Sequence, residues 1–214
     1  MLSTYKFIAI NQMEINNKTS DKILSILIKE PLIDHSATSL AKSLGITRQG
    51  LWKTLNKLFK DKLISLKSIA DTKKSAVNIK LNFENQITEK VISLLLIKES
   101  LNYERWRFNF KRVKDYSKFI ILFGSILHSS KEANDIDLLI IVDDKKDFHE
   151  ISKIMLELQQ TQIKKIHYID ITEKEFKEEI KINKNKAYLD AFKKGIVLFG
   201  QDDYVKFVAE LNKE

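Results

Sequence analysis

The chain has 214 residues, 43% apolar and 31% charged, with a formal net charge of +8. That length suffices for one large or two small domains with proper cores, and no apolar run approaches the roughly eighteen residues of a membrane span, so no membrane partner is expected. The absence of cysteine excludes disulfides and thiolate metal sites, and with no signal-peptide pattern in residues 1–15 the expectation is a cytoplasmic protein.

The charge is unevenly placed. Residues 1–85 hold 14 Lys/Arg against 7 Asp/Glu, while residues 86–214 hold 23 against 22. A basic first part beside a near-neutral remainder points to a polyanionic partner for the former. The four histidines, His35, His128, His149 and His167, lack metal-ligand spacing, so no zinc site is expected.

Residues 1–19 contain an apolar run, Phe7 to Ile10, without a clear period, and no element is assigned to them. Ser20 is a suitable N-cap for a helix carrying Ile23, Leu24, Leu27 and Ile28, with Pro31 marking its end. Ser36 can cap a second helix, with Leu40, Ala41 and Leu44 inward and Gly45 closing it. Thr47 opens a third helix whose expected inward stripe is Leu51, Leu55, Leu58 and Phe59. Leu63 to Ala70 and Ala76 to Asn82 read as two short strands around a polar loop that holds Lys73 and Lys74.

Helix, Gly turn and helix over this distance is a helix-turn-helix unit. The stretch Ser39-Leu-Ala-Lys-Ser-Leu-Gly-Ile-Thr-Arg-Gln-Gly-Leu-Trp-Lys-Thr-Leu-Asn-Lys-Leu resembles the winged helix-turn-helix of prokaryotic transcription regulators, over about residues 20–83. Lys62 departs from the pattern, since many members have Gly there. The resemblance implies duplex DNA as a partner. Arg48 and Gln49, at the N-terminal end of the third helix, are the candidate base readers, with Asn56 on the same exposed side. Lys53, Lys57, Lys73 and Lys74 would meet phosphates, which position the protein without specifying sequence.

Ile87 to about Phe110 reads as a helical connector with no Gly, Pro or Ser-rich run, hence stiff. Its apolar excess would serve packing on its own domains or a homodimer interface. Phe119 to Phe123 is then an apolar, β-branched and aromatic run that stops at Gly124-Ser125, the pattern of a buried strand entering a tight turn. A second strand begins at Asp135. Alternation places Asp135, Asp137 and Leu139 on one face. Two carboxylates on one face of an apolar strand repel and lose solvation, which is costly unless a cation sits between them. Mg2+ or Mn2+ suits such oxygen ligands together with substrate phosphates, and the Gly124 turn can present successive N–H groups to an anion.

A hydrophobic strand ending in Gly-Ser, a gap of about ten residues and Asp-x-Asp opening the next strand resembles the polymerase-β-type nucleotidyltransferase superfamily, closest to its small stand-alone members. In that family the Gly-Ser turn holds the nucleotide's terminal phosphates, the paired aspartates bind metals and a later carboxylate completes the site. Gly124 and Ser125 are therefore expected to bind phosphate, and Asp135 and Asp137 to hold the metals. His128 stands where members often carry a basic residue. Asp170, within Ile166-His-Tyr-Ile-Asp-Ile171, is the candidate third carboxylate, ligating the catalytic metal and helping to deprotonate the acceptor. Asp147 is expected to cap the helix before that strand. Thr172-Glu-Lys-Glu175 is a capping box for the next. A last helix, about Lys186 to Lys194, ends at Gly195 before Ile196 to Phe199.

The sequence thus reads as an α+β chain. A winged helix-turn-helix (1–85) is joined by a helical connector (86–116) to a nucleotidyltransferase domain (117–214) with a mixed sheet flanked by helices. What the resemblance implies is transfer of a nucleoside monophosphate from a triphosphate, ATP foremost, to an acceptor hydroxyl, a protein hydroxyl being one candidate. The alternative is a DNA-binding regulator whose nucleotidyltransferase domain senses nucleotide or is inactive.

Overall fold

The computed structural model describes residues 18–68, 77–182 and 184–212. They divide into two compact units, one of residues up to Leu27 with Ile33–Asn82, the other of Ile28–Leu32 with Phe83 onward.

In the first unit, α1 (Lys18–Lys29), α2 (Ala37–Leu44) and α3 (Arg48–Lys60) precede β1 (Ile64–Ser68) and β2 (Val77–Leu81). The apolar stripe of α1, Ile23, Leu24, Leu27 and Ile28, is buried as its period demands. Ser20 lies inside this helix, which starts at Lys18, so the expected cap is displaced. Ser36 does cap α2. Its hydroxyl accepts from the Ser39 N–H at 3.0 Å, and the Ser39 hydroxyl accepts from the Ser36 N–H at 2.9 Å. Gly45 closes α2 in the left-handed region, at φ 64, and Thr47 caps α3 by accepting from the Gly50 N–H at 3.1 Å.

The buried side of α3 is Leu51, Thr54, Leu55 and Leu58. Phe59, expected inward, is 50% exposed, because one step past Leu58 rotates it about 100° off that stripe. β1 and β2 pair antiparallel, Ile64 opposite Leu81 and Ser68 opposite Val77. Three helices followed by this hairpin form a winged helix-turn-helix. The loop between its strands, with Lys73 and Lys74, lies outside the described residues.

Lys62, between α3 and β1, has φ 57, the left-handed region that β-carbons disfavour. Its carbonyl accepts from Asn82 Nδ2 at 2.9 Å, which ties the turn to the end of β2. Lys62→Gly is expected to raise stability by about 1 kcal/mol. The relieved backbone strain exceeds the extra freedom glycine gains in the unfolded chain, and urea unfolding of the two proteins measures the difference.

The second unit opens with α4 (Gln86–Leu101) and α5 (Glu104–Asn109), broken at Asn102-Tyr103, and a 3-10 turn, Lys111–Tyr116. The expected single connector helix is therefore two. The buried side of α4 is Thr88, Ile92, Ser93, Leu96 and Ser100, whereas Ile87, Leu94, Ile97 and Leu101 lie on its exposed side. Next come β3 (Phe119–Phe123), β4 (Asp135–Val142), α6 (Phe148–Thr161), β5 (Lys165–Thr172), α7 (Glu173–Ile182), α8 (Lys186–Lys194), β6 (Ile196–Phe199) and α9 (Gln201–Leu211). α4 packs on β6 and α9, so residues 86–116 belong to the body of this unit.

The sheet order is β5-β4-β3-β6. β3 runs antiparallel to both β4 and β6, and β4 runs parallel to β5, the pair bridged by α6. One face carries Ile120, Leu122, Ile136, Leu138, Ile140 and Ile166, packed with Trp106, Phe110, Ile151 and Met155. On the other, Phe119 meets an aromatic group from α7, α8 and α9. Its ring lies 5.5 Å from Tyr204 and 5.7 Å from Phe207, and Phe207 stacks on Phe176 at 5.2 Å. β3, five residues buried on both faces, is the floor on which the loop beyond it is built.

Two caps of this unit bear on the sequence expectations. Thr172 and Glu175 form the anticipated box: the threonine hydroxyl accepts from the Glu175 N–H at 3.3 Å, and Glu175 Oε2 accepts from the Thr172 N–H at 3.2 Å. Asp147 makes no side-chain cap for α6. A short 3-10 turn, Lys145–Asp147, stands before the helix, and Asp144 caps that turn by accepting from the Lys146 N–H.

Candidate active site

The site grows from the β3–β4 hairpin. β3 ends at Phe123, which pairs with Asp137, so the turn at Gly124 begins beside the second aspartate. Gly124 has φ 80 and ψ −162, a conformation almost confined to glycine. A Cβ built there would lie 2.1 Å from Asp137 Oδ2. The backbone and the carboxylate are therefore packed together as only glycine permits. Ser125, exposed, opens a short 3-10 turn that ends at Leu127.

Asp135 and Asp137 occupy the first and third positions of β4, half-buried and on one face. In register with Asp137 on the parallel strand stands His167. Its Nδ1 lies 3.3 Å from Asp135 Oδ2 and 3.7 Å from Asp137 Oδ1. Among the described residues, these three form the group whose ligand atoms could hold one metal ion, all within 4.8 Å of one another. Burial pushes the Asp137 carboxyl above the usual aspartate range, the charge of Asp135 raises it further, and His167 pulls it back. A pair of acids in this position, only partly offset by His167, is what a divalent cation would relieve, and two carboxylates with an imidazole are a donor set that fits one.

Asp170 is not part of this group. It pairs with Ile140, which faces the Trp106 and Met155 side of the sheet, whereas Asp135, Asp137 and His167 face the other way. It also lies three residues beyond His167, about 10 Å further along the strand. Its carboxyl is raised by burial, not by the other aspartates. The expected third carboxylate is thus corrected: Asp170 faces away from the aspartates, and the side chain that stands beside them is His167, which sequence spacing had set aside. The available signal was position along the strand. Asp135 and Asp137 stand at the start of β4, so a parallel neighbour must contribute from the start of β5, where Lys165 and His167 lie.

His128 ends the 3-10 turn and is exposed. It borders a cleft of about 350 Å³ between the Ile126–Ser130 turn and Asn102–Trp106.

Residues 109–204 match the protein family described as Polymerase beta, Nucleotidyltransferase. Over this segment the chain is similar to a nucleotidyltransferase domain of that family. The segment holds β3 to β6 and the whole Asp135, Asp137 and His167 group. Comparison with curated proteins gives no match. Among solved structures, the adhesin competence repressor AdcR of Streptococcus pyogenes is 14% identical, with a TM-score of 0.35, over 50% of this chain and 75% of that one. MepR, a transcription regulator of the Staphylococcus aureus efflux pump MepA, is 18% identical, with a TM-score of 0.34, over 49% and 84%. The heme sensor PefR of Streptococcus agalactiae is 14% identical, with a TM-score of 0.34, over 76% and 95%.

In the first unit Arg48 and Gln49 form the exposed first turn of α3, with Lys53, Asn56 and Lys57 exposed further along it. Among the described residues no helix is long and apolar enough to cross a membrane.

Proposed function

We propose that the chain is a metal-dependent nucleotidyltransferase that moves a nucleoside monophosphate from a triphosphate, ATP foremost, to an acceptor hydroxyl, a protein hydroxyl among the candidates. The observation that carries this reading is the Asp135–Asp137 pair set against the Gly124-Ser125 turn inside the matched domain. In this reading the winged helix, residues 1–85, holds duplex DNA, and the connector, residues 86–116, packs into the nucleotidyltransferase domain, residues 117–214.

Asp135, Asp137 and His167 would hold a divalent ion, Mg2+ or Mn2+, which when bound offsets charge on the phosphate oxygens. The Gly124-Ser125 turn presents backbone N–H groups and the Ser125 hydroxyl to the β- and γ-phosphates. His128, exposed at the neighbouring cleft, adds a donor to phosphate when protonated. The acceptor hydroxyl gives up its proton to solvent as its oxygen attacks the α-phosphate, the bond to the bridging oxygen breaks, and pyrophosphate leaves. Positioning and charge stabilisation supply most of the catalysis such a transfer needs. Incubation with labelled nucleoside triphosphates, Mg2+ or Mn2+ and cell lysate tests the reading: label appears on an acceptor, and its absence with every nucleotide and both metals removes it.

The displacement of Asp170 to the other face favours a second reading, a DNA-binding regulator that senses nucleotide without transferring it. Metal-dependent nucleotide binding without label transfer would select it.

The winged helix has its own test. Lys53→Ala in the full chain is expected to weaken binding to all duplexes alike and to lower the salt slope by about one, since one phosphate contact is lost. Arg48→Ala is expected to cost about 1–3 kcal/mol of discrimination between sequences. Fluorescence anisotropy at several salt concentrations reads both.

A further inference from the structure

We infer that His167 is a metal ligand and makes this centre select Mn2+ over Mg2+, an inference that rests on the nucleotidyltransferase reading of the same site. His167 Nδ1 stands 3.3 and 3.7 Å from oxygens of Asp135 and Asp137, close enough for all three atoms to surround one ion. The strand register fixes it there, as the direct neighbour of Asp137 on β5. No carboxylate of β5 can take its place, because Asp170 faces the opposite side.

The ligand chemistry then decides the metal. Mg2+ is a hard ion that takes oxygen in a tight octahedron and gives up water reluctantly. An imidazole nitrogen is a poor donor to it and suits first-row transition ions such as iron, nickel and zinc better, Mn2+ being the weakest binder of that row. Two carboxylates and substrate phosphates still require an ion that accepts oxygen readily. Mn2+ meets both demands, as the member of that row whose preference for carboxylate and water lies nearest to that of Mg2+. Gly124 seats the Asp137 carboxylate against the turn, and His167 approaches from the open side, its side chain 47% exposed. The nitrogen is thus presented to an ion arriving from solvent.

The experiment loads the full chain with Mn2+ and reads its bound signal by pulsed electron paramagnetic resonance, with Mg2+ titrated in as competitor. Wild type is expected to show modulation from a directly bound imidazole nitrogen. In His167→Asp that modulation is lost, and less Mg2+ is needed to displace the Mn2+. His167→Asn tests the same loss without adding charge, and thermal melts establish that both variants fold. His128→Ala, the other histidine near the turn, is expected to keep the nitrogen signal. Bound Mn2+ that depends on Asp135 and Asp137 but shows no imidazole nitrogen overturns the inference and leaves the nucleotidyltransferase reading standing. Equal displacement by Mg2+ in wild type and His167→Asp overturns it in the same way. No bound metal at all, with or without a non-hydrolysable triphosphate analogue, overturns both.

Discussion

Asp135→Ala/Asp137→Ala is expected to abolish divalent-dependent triphosphate binding while leaving the protein folded. Both side chains lie at the mouth of β4, half-exposed, so the core below them is untouched. Their loss removes two of the three ligand atoms gathered there. The metal-free stability moves the other way. Asp137 holds its proton to higher pH in the folded state than in the unfolded chain, because burial and then Asp135 disfavour its charge. Through the window between those two values the folded state binds more protons. Stability contributed by this group therefore falls as pH rises from the ordinary aspartate range through the raised one. The double variant lacks that loss, so at neutral pH in chelated buffer its melting temperature equals or exceeds that of wild type. Asp170→Asn, on the other face, is expected to leave nucleotide binding unchanged. Titration calorimetry with a non-hydrolysable triphosphate, with and without Mn2+, checks these outcomes, and undiminished metal-dependent binding by the double variant would refute the site.

Gly124→Ala is expected to act as severely on binding and also to destabilise the fold. The backbone there is held at φ 80 and ψ −162, where a non-glycine residue costs about 1–3 kcal/mol. The added methyl meets Asp137 Oδ2 at 2.1 Å, so the carboxylate or the turn must move. Either movement separates the N–H groups of the turn from the Asp137 carboxylate, and the proposed transfer depends on geometry at this level. The expected result is lost triphosphate binding together with a lowered urea midpoint. A variant that binds and melts like wild type would mean that the turn and the carboxylate are not held as described.

Much of this arrangement was legible because its signals are local. Ser36, Gly45, Thr47 and the Thr172–Glu175 box announce helix ends through bonds that span three or four residues. β3 and β4 were readable from composition and from the Gly-Ser stop. What failed depended on partners distant in sequence. Asp170 looked suitable because it is an acid on the right strand. Its face is set by the parallel register with β4, and a shift by one residue exchanges the two sides of a strand. His167 was discounted for lack of spacing along the chain, although the sheet supplies the spacing. Phe59 and Ser20 show the smaller version of the same limit, where a helix's phase and start depend on packing against its neighbours.

The β3–β4 hairpin separates what must stay fixed from what can change. Phe123 is locked opposite Asp137 by the strand pairing. Ile126 and Ala133 are sunk in the core, and the Ala133 carbonyl accepts from Lys164. Between those anchors His128, Ser130, Lys131 and Glu132 stand at the surface. Lengthening a surface loop costs little once its ends are held. Evolution could therefore remodel this arch, and with it the surface around His128, without moving an aspartate. Replacing the residues between Ile126 and Ala133 is expected to leave Asp135 and Asp137 where they stand.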